Sequence, residues 1–372
     1  MLFKFNFIHE EISNLSNIKF LLRMILNKIK CRIVKKILFL LLFSILGELI
    51  SANEVNIYTS RHYDSDDALY AEFKKETGIK VNIISGKGSA LLERIKSEGK
   101  NSPADIFFTV DAGNLWKVQK EGLFQSIKSK QVLSSVPVEL RGPNDEWTAI
   151  AKRARVIFYN PLKISPNEIK DLTYEDLANE KWKSRIVVRS SSNMYNQSLV
   201  ASLIANLGEK NTEIWAKRFV KNFARKPQGN DRSQIIAVSN GEADLAIANS
   251  YYIGIMLSGS SGKEQQEAAK KVKMHFPNQN DRGVHINISG AGVLKNSPNS
   301  ANANLFLEFL LSERVQKYMV DKSFEYPILE GVLPSSEIAS FGLHFKEDDT
   351  AVKQFGELNP DAIRLMDRSG WK

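Results

Sequence analysis

Four tyrosines occupy three comparable places in this chain. Tyr63 follows an extended stretch ending at Ser60; Tyr195 lies in Ser190-Ser191-Ser192-Asn193-Met194-Tyr195-Asn196 after a stretch ending near Arg189; Tyr251 and Tyr252 follow the apolar run Ala243 to Ala248. Each place reads as a buried strand, a polar turn and a helix start. Adjacent tyrosines in a regular strand would face opposite sides of the sheet, whereas at a turn into a helix both phenols can converge on one point. Ligands of open α/β sheets bind in the crevice outside the carboxyl edge of the strands. If the three turns lie on facing carboxyl edges, four phenols meet across one cleft. Each tyrosine alone could equally be an aromatic packed beneath a loop; together they point to a hard oxygen site.

Phenol titrates near ~10, so such a cluster is neutral when empty and poorly suited to a charged organic substrate. A bound, highly charged cation reverses this by favouring phenolate. Oxygen donors without thiolate select hard metals, and Fe(III), small and trivalent, best matches four such anions. Calcium would call for carboxylates and carbonyls, which these turns lack. Four phenolates around Fe(III) leave one net negative charge, which a nearby arginine would balance. Arg153 and Arg155 lie on the extended run Thr148 to Tyr159, and Arg61 lies two residues before Tyr63. Each could hydrogen-bond a phenolate or form a salt bridge at a hinge, and the sequence leaves both open. Fe(II) is a second possible occupant, and reduction to it would weaken the phenolate bonds.

The elements that must hold these residues follow from periodicity. Glu54 to Ser60 reads as a strand, Asp66 to Thr77 as an amphipathic helix stopped by Gly78, Ile79 to Ile84 as a strand and Ser89 to Ser97 as a helix. Ala104 to Val110 reads as a buried strand, with Asp111 capping the next helix. Further on, the pattern predicts a short helix over 173–178, a strand over 186–189, and helices over 198–207, 215–223 and 231–239. Helices are also expected over 301–311 and 313–320. This alternation predicts a parallel sheet covered on both faces. The extended runs from Trp147 and from Gly283 to Val293 read as two crossings between lobes. The expected fold is α/β and two-lobed, with 53–150 plus 283–325 as one lobe and 151–282 plus 326–372 as the other. Discontinuous lobes joined by paired strands suit hinge closure around a ligand.

The first 52 residues read as a leader rather than as fold. An apolar run over 37–50 follows Lys28, Lys30, Arg32, Lys35 and Lys36 and is itself followed by Ser51-Ala52, the pattern of a secretory signal peptide cleaved after Ala52. Residues 1–23 are unusual for a leader, and Met24 would be a more ordinary start. The run falls short of the ~20 residues a membrane span needs, and Glu48 interrupts it. Of the formal charge of +9, this segment contributes eight basic and three acidic residues, leaving the remainder near +4. That excess is small and dispersed and gives no case for nucleic acid. Cys31 is the only cysteine, so without the leader the chain has no disulfide, thiolate metal site or cysteine nucleophile.

Other motifs point elsewhere only weakly. His275, His285 and His344 lack metal-ligand spacing and read as structural or solvated. Gly86-Lys87-Gly88-Ser89 lacks full phosphate-loop spacing and reads as a turn; the mixed-charge run Lys263 to Lys273 reads as a solvated helix. No paired carboxylates or Gly-x-Ser-x-Gly turn suggest hydrolysis. A ferric-tyrosinate oxygenase is conceivable, but such sites keep open positions and mix in histidine and carboxylate. Within binding proteins, a small anion or a polyamine is the competing ligand, and it would need carboxylates or a clean set of arginines in the turns.

The segments Val55-Asn56-Ile57-Tyr58-Thr59-Ser60-Arg61-His62-Tyr63, Ala104 to Gly113, Arg189 to Gln197 and Ala248-Asn249-Ser250-Tyr251-Tyr252 together resemble the periplasmic ferric-iron-binding proteins of ABC importers, and among them the cyanobacterial type. The likeness covers essentially the whole chain after the leader. It implies a two-lobed solute-binding fold of the second topological type in the periplasm. It also implies a monomer that is not an enzyme and delivers iron to an inner-membrane permease. As ligands it implies Tyr63, Tyr195, Tyr251 and Tyr252. In some relatives the histidine before the first tyrosine is a fifth ligand, here His62; solvent is the alternative. Other relatives use a carboxylate with a borrowed anion, and no carboxylate in these motifs matches that pattern.

Overall fold

The computed structural model describes residues 53–372 other than His62, Asp64 and Leu343. The expected leader over 1–52 and the expected further ligand His62 lie outside the described residues. Residues 54–372 form one compact unit. Among the described residues no helix is long and apolar enough to cross a membrane.

Eight strands, counted among the described residues, build this unit: β1 Glu54–Thr59, β2 Lys80–Ser85, β3 Ile106–Val110, β4 Thr148–Tyr159, β5 Ile186–Val187, β6 Leu245–Asn249, β7 Lys273–His275 and β8 Ile286–Val293. They share one sheet in the order β2-β1-β3-β8-β4-β6-β5, with β7 also pairing β4. β1 runs parallel to β2 and β3, and β5 parallel to β6. The parallel sheet expected from the alternation forms only within each half. β8 is antiparallel to both β3 and β4, and β4 is antiparallel to β6. Strand and helix alternation is a local signal, and it holds within each half; the direction of the two long crossing strands depends on chain closure between distant segments.

The register of those crossings aims the site. Val110, at the end of β3, pairs with Ser289 of β8, which pairs with Ala151 of β4; Asn249, at the end of β6, pairs with Arg155 of β4. Since β6 runs opposite to β3, the carboxyl ends of both halves point toward residues 151–155 from opposite sides. The turns after β1, β3, β5 and β6 are brought to one place.

Local chemistry accounts for most elements. Helix α1, Asp66–Thr77, has Asp66 and Asp67 in its first turn and Lys74 and Lys75 in its last, each favourable to the helix dipole, and Gly78 (φ 74°) donates to the Lys74 carbonyl at its end. Helix α2, Ala112–Lys120, is capped by Asp111, which accepts from the Gly113 amide. Helix α3, Met194–Leu207, starts four residues before the expected 198. Its first turn contains Asn196 and Gln197, which the apolar pattern excludes, yet both are buried because their amides are hydrogen-bonded. The expected helix over 215–223 begins earlier, at Glu209, and ends at Val220, with Phe223 bridging to Ile186 instead. Helix α4, Asp231–Ser239, packs on β6, and helix α5, Tyr251–Leu257, follows that strand directly. Helix α6, Glu313–Ser323, ends at Phe324 in the left-handed conformation.

β8 is buried along its whole length, between helices and the neighbouring strands. A Cβ at Gly290 would lie 2.7 Å from Leu115 Cδ1 and 2.8 Å from the Thr148 carbonyl oxygen, and backbone cannot give way as a side chain can. Gly290→Ala is therefore expected to lower unfolding stability by about 1–3 kcal/mol, read as a lower urea midpoint at unchanged m-value.

Candidate metal centre

Tyr63, Tyr195, Tyr251 and Tyr252 line one cavity of about 570 Å³. Tyr195 sits in the first turn of α3, and Tyr251 and Tyr252 open α5, so two of the three turns deliver their phenols from helix starts. The rings of Tyr251 and Tyr252 lie 4.2 Å apart at 31°, and that of Tyr63 meets Tyr251 edge-on at 6.0 Å and 82°. Tyr251 is buried and the other three are partly exposed to the cavity. Among the described residues no group of three or more His, Cys, Asp or Glu side chains is arranged to hold a metal. The phenols are thus the donor set on offer.

Burial is the first reason that Tyr63, Tyr251 and Tyr252 titrate above an ordinary phenol. For Tyr63 the negative charge of Glu325 adds to it, and Arg61 and Arg153 oppose it. For Tyr251 the neighbouring phenols Tyr195, Tyr63 and Tyr252 add to it, and Arg153 opposes. For Tyr252 the additions come from Tyr195 and Asp231. These three are therefore held as neutral phenols.

The arginines form the salt bridges that the sequence left open, and they face the tyrosines as guanidinium against ring rather than through a hydrogen bond. Arg61 and Arg153 are buried and ion-paired, and each also stands against the tyrosines: the Arg61 guanidinium is 4.3 Å from the Tyr63 ring centre, and that of Arg153 is 5.8 Å from Tyr195 and 5.9 Å from Tyr251. Arg153 gives one nitrogen, Nη2, to protein partners, while Nε and Nη1 have none among the described residues. Arg155 pairs with Asp231 and donates from Nη1 to Asn249 (3.0 Å) and from Nη2 to Asn196 (2.7 Å), 5.9 Å from the Tyr195 ring. Asp231 also receives Arg189 at 2.6 Å. Asp231, Arg189, Glu325 and Ser289 were not singled out from the sequence. Asp231 looks there like any acidic residue of a helix first turn, and Glu325 lies in no motif.

The remaining sequence features stay structural. His275 bonds the Leu172 carbonyl through Nε2 at 2.9 Å, and His344 is exposed. Gly86 donates to the Thr59 carbonyl in a turn, and Lys263–Lys270 is a helix. His285 is buried beside Phe355 and shares a small interior void with Tyr195.

Residues 59–317 match the family described as bacterial extracellular solute-binding protein. The chain belongs to this family. Iron uptake protein A1 of Synechocystis sp. is 52% identical over 319 residues, spanning 86% of this chain and 88% of its own. The solved structure of Trichodesmium IdiA (FutA) in complex with iron and citrate ligands matches at a TM-score of 0.82 and 55% identity, covering 86% of this chain and 100% of that one. A ferric binding protein from Campylobacter jejuni matches at 0.80 and 41%, covering 86% and 100%. The architecture is accordingly that of the two-lobed solute-binding proteins.

Two outcomes are expected of this solute-binding protein. Asp231 is buried between two arginines, so Asp231→Ala leaves both charges uncompensated and should cost about 3–5 kcal/mol in chemical denaturation. Burial, helped by Arg155 and Arg282, pushes the His285 imidazole down to about 3. The unfolded chain then binds a proton that the folded one refuses, so stability falls as pH drops from about 6.5 toward 3. The contribution approaches ~1.4 kcal/mol per pH unit. His285→Gln should flatten that part of the stability–pH curve.

Proposed function

We propose that this solute-binding protein captures ferric iron between its lobes through the phenolates of Tyr63, Tyr195, Tyr251 and Tyr252, and hands it to an ABC permease in the inner membrane. The observation that carries the reading is the meeting of four phenols on one cavity with buried arginines beside three of them. The relatives support it by their names, as an iron uptake protein, a ferric binding protein and a protein holding iron with citrate. Iron here is cargo: the site has to bind it and give it up, with no bond made or broken in a substrate. The lobe assignment that goes with this reading is 53–150 plus 283–325 against 151–282 plus 326–372, closing about β4 and β8. A leader over 1–52 would send the chain to the periplasm. His62, beside Tyr63 in sequence, is the candidate fifth ligand, with solvent as the alternative.

Binding requires the phenols to lose protons, and the raised proton affinity of Tyr63, Tyr251 and Tyr252 makes the metal compete with acid. Iron affinity should therefore rise with pH, and mild acidification should release the cargo.

An optical titration of residues 53–372 with ferric citrate tests the whole reading. A visible phenolate-to-iron charge-transfer band saturating at one equivalent, weakened or shifted in Tyr252→Phe, is the expected result. No band would sink it, and screening of small anions and polyamines against the same cleft would follow.

A further inference from the structure

Glu325 is completely buried and is not among the residues that line the tyrosine cavity. It follows Phe324, whose left-handed backbone (φ 61°, ψ 17°) is an uncommon state for a bulky side chain. Phe324 lines the tyrosine cavity and rests on Gly254 of α5, so closely that a Cβ there would stand 2.5 Å from Phe324 Cγ. That contact pins the turn, and the next residue enters the arginine cluster. Glu325 Oε2 accepts from Arg61 Nη1 at 2.6 Å, and Oε1 accepts from Ser289 Oγ at 2.7 Å and lies 3.3 Å from Arg153 Nη2. Ser289 Oγ in turn accepts from Arg61 Nη1 at 2.9 Å and from Arg153 Nη2 at 2.7 Å. One carboxylate thus fixes the Arg61 guanidinium that stands against Tyr63 and the Arg153 guanidinium that stands against Tyr195 and Tyr251.

The charges of the ion-paired groups are informative. Arg61 and Arg153 are offset by Asp66 and Glu325, whereas Arg155 and Arg189 share the single carboxylate of Asp231 and leave one positive charge. A four-phenolate ferric centre carries one negative charge and its ferrous counterpart two. Positive charge near the site stabilises the more negative, ferrous centre more strongly. A buried ion pair contributes little net stability compared with a well-packed apolar replacement, so the cluster calls for another reason.

We propose that Glu325 is a positioning residue that biases the site toward ferric over ferrous iron, by holding Arg61 and Arg153 against the tyrosines and cancelling part of their charge. The inference rests on the tyrosine reading above. Without Glu325 the arginines would present one more uncompensated positive charge to the phenolates, and ferrous iron would gain relative to ferric.

Glu325→Gln keeps the side chain's shape and removes its charge. Iron-loaded wild-type and variant proteins (residues 53–372) would be followed by their charge-transfer band in a mediated potentiometric titration. The variant should keep the band, and its ferric/ferrous midpoint should move positive by about 59 mV for each tenfold gain in relative ferrous affinity, with at least a tenfold gain expected. Glu325→Asp retains the charge but draws it back by one methylene; it should shift the same way by less, and it decides the matter alone if Glu325→Gln does not fold. Either folded variant at the wild-type potential overturns the proposal, as does a Glu325→Asp shift as large as that of Glu325→Gln, which would mark lost packing rather than charge. A wild-type protein without the band removes the tyrosine reading itself; a band with unmoved potentials removes only the role of Glu325.

Discussion

The structure depends on the antiparallel pairing of β8 with β4. Because side chains alternate along a strand and hydrogen bonds fix neighbours residue by residue, the register of this pair decides what every turn beyond it can reach. With Ser289 opposite Ala151 and Asn249 opposite Arg155, the strand ends of both halves are directed at a stretch of five residues on β4. Slipping either pairing by one residue would turn Arg153 and Arg155 to the other face of the sheet and carry the tyrosine turns out of line. The absence of room for a Cβ at Gly290 is one sign of how tightly this pairing is specified.

The same five residues bring two guanidiniums into a buried place, and most of the polar architecture answers that cost. Isolated charges of this kind are not tolerated away from water. Glu325, Ser289 and Asp66 surround Arg61 and Arg153, while Asp231, Asn196 and Asn249 surround Arg155. These partners come from α1, the turn after α6, β8, α4, α3 and β6, so the arginines also knit distant parts of the chain together. The tyrosines stand just outside this layer, between fixed positive charge and the open cavity. In that setting burial favours the protonated form of Tyr63, Tyr251 and Tyr252, and the arginine charge beside Tyr63 and Tyr251 works against it.

The helix starts that carry the tyrosines show how polar satisfaction overrides an apolar pattern. α3 begins with residues whose polarity suggests a loop, and it does so because Arg155 and the backbone of Arg189 and Ser190 give Asn196 partners in the interior. That earlier start moves Tyr195 from a loop onto a helix, where its ring is held beside three guanidiniums. Membership of the solute-binding family agrees with a scaffold of this kind, in which rigid strands and helix starts from separated segments present a few side chains to one cleft.

By itself the sequence determined the elements, the four tyrosines and their positions at strand-to-helix turns, because periodicity, capping residues and turn chemistry are local properties that a window of ten to twenty residues contains. It also contained the arginines, though not what they touch. Only the tertiary structure decided that the central strands run antiparallel, that α3 starts before Tyr195, and that Glu325, Asp231 and Ser289 belong beside the site. Glu325 lies 264 residues from Arg61 in the chain and Asp231 lies 76 from Arg155. No local pattern records such a pairing. It exists because burying a guanidinium demands a counter-charge from whichever segment the fold brings near, and the fold is fixed by strand register over the whole chain.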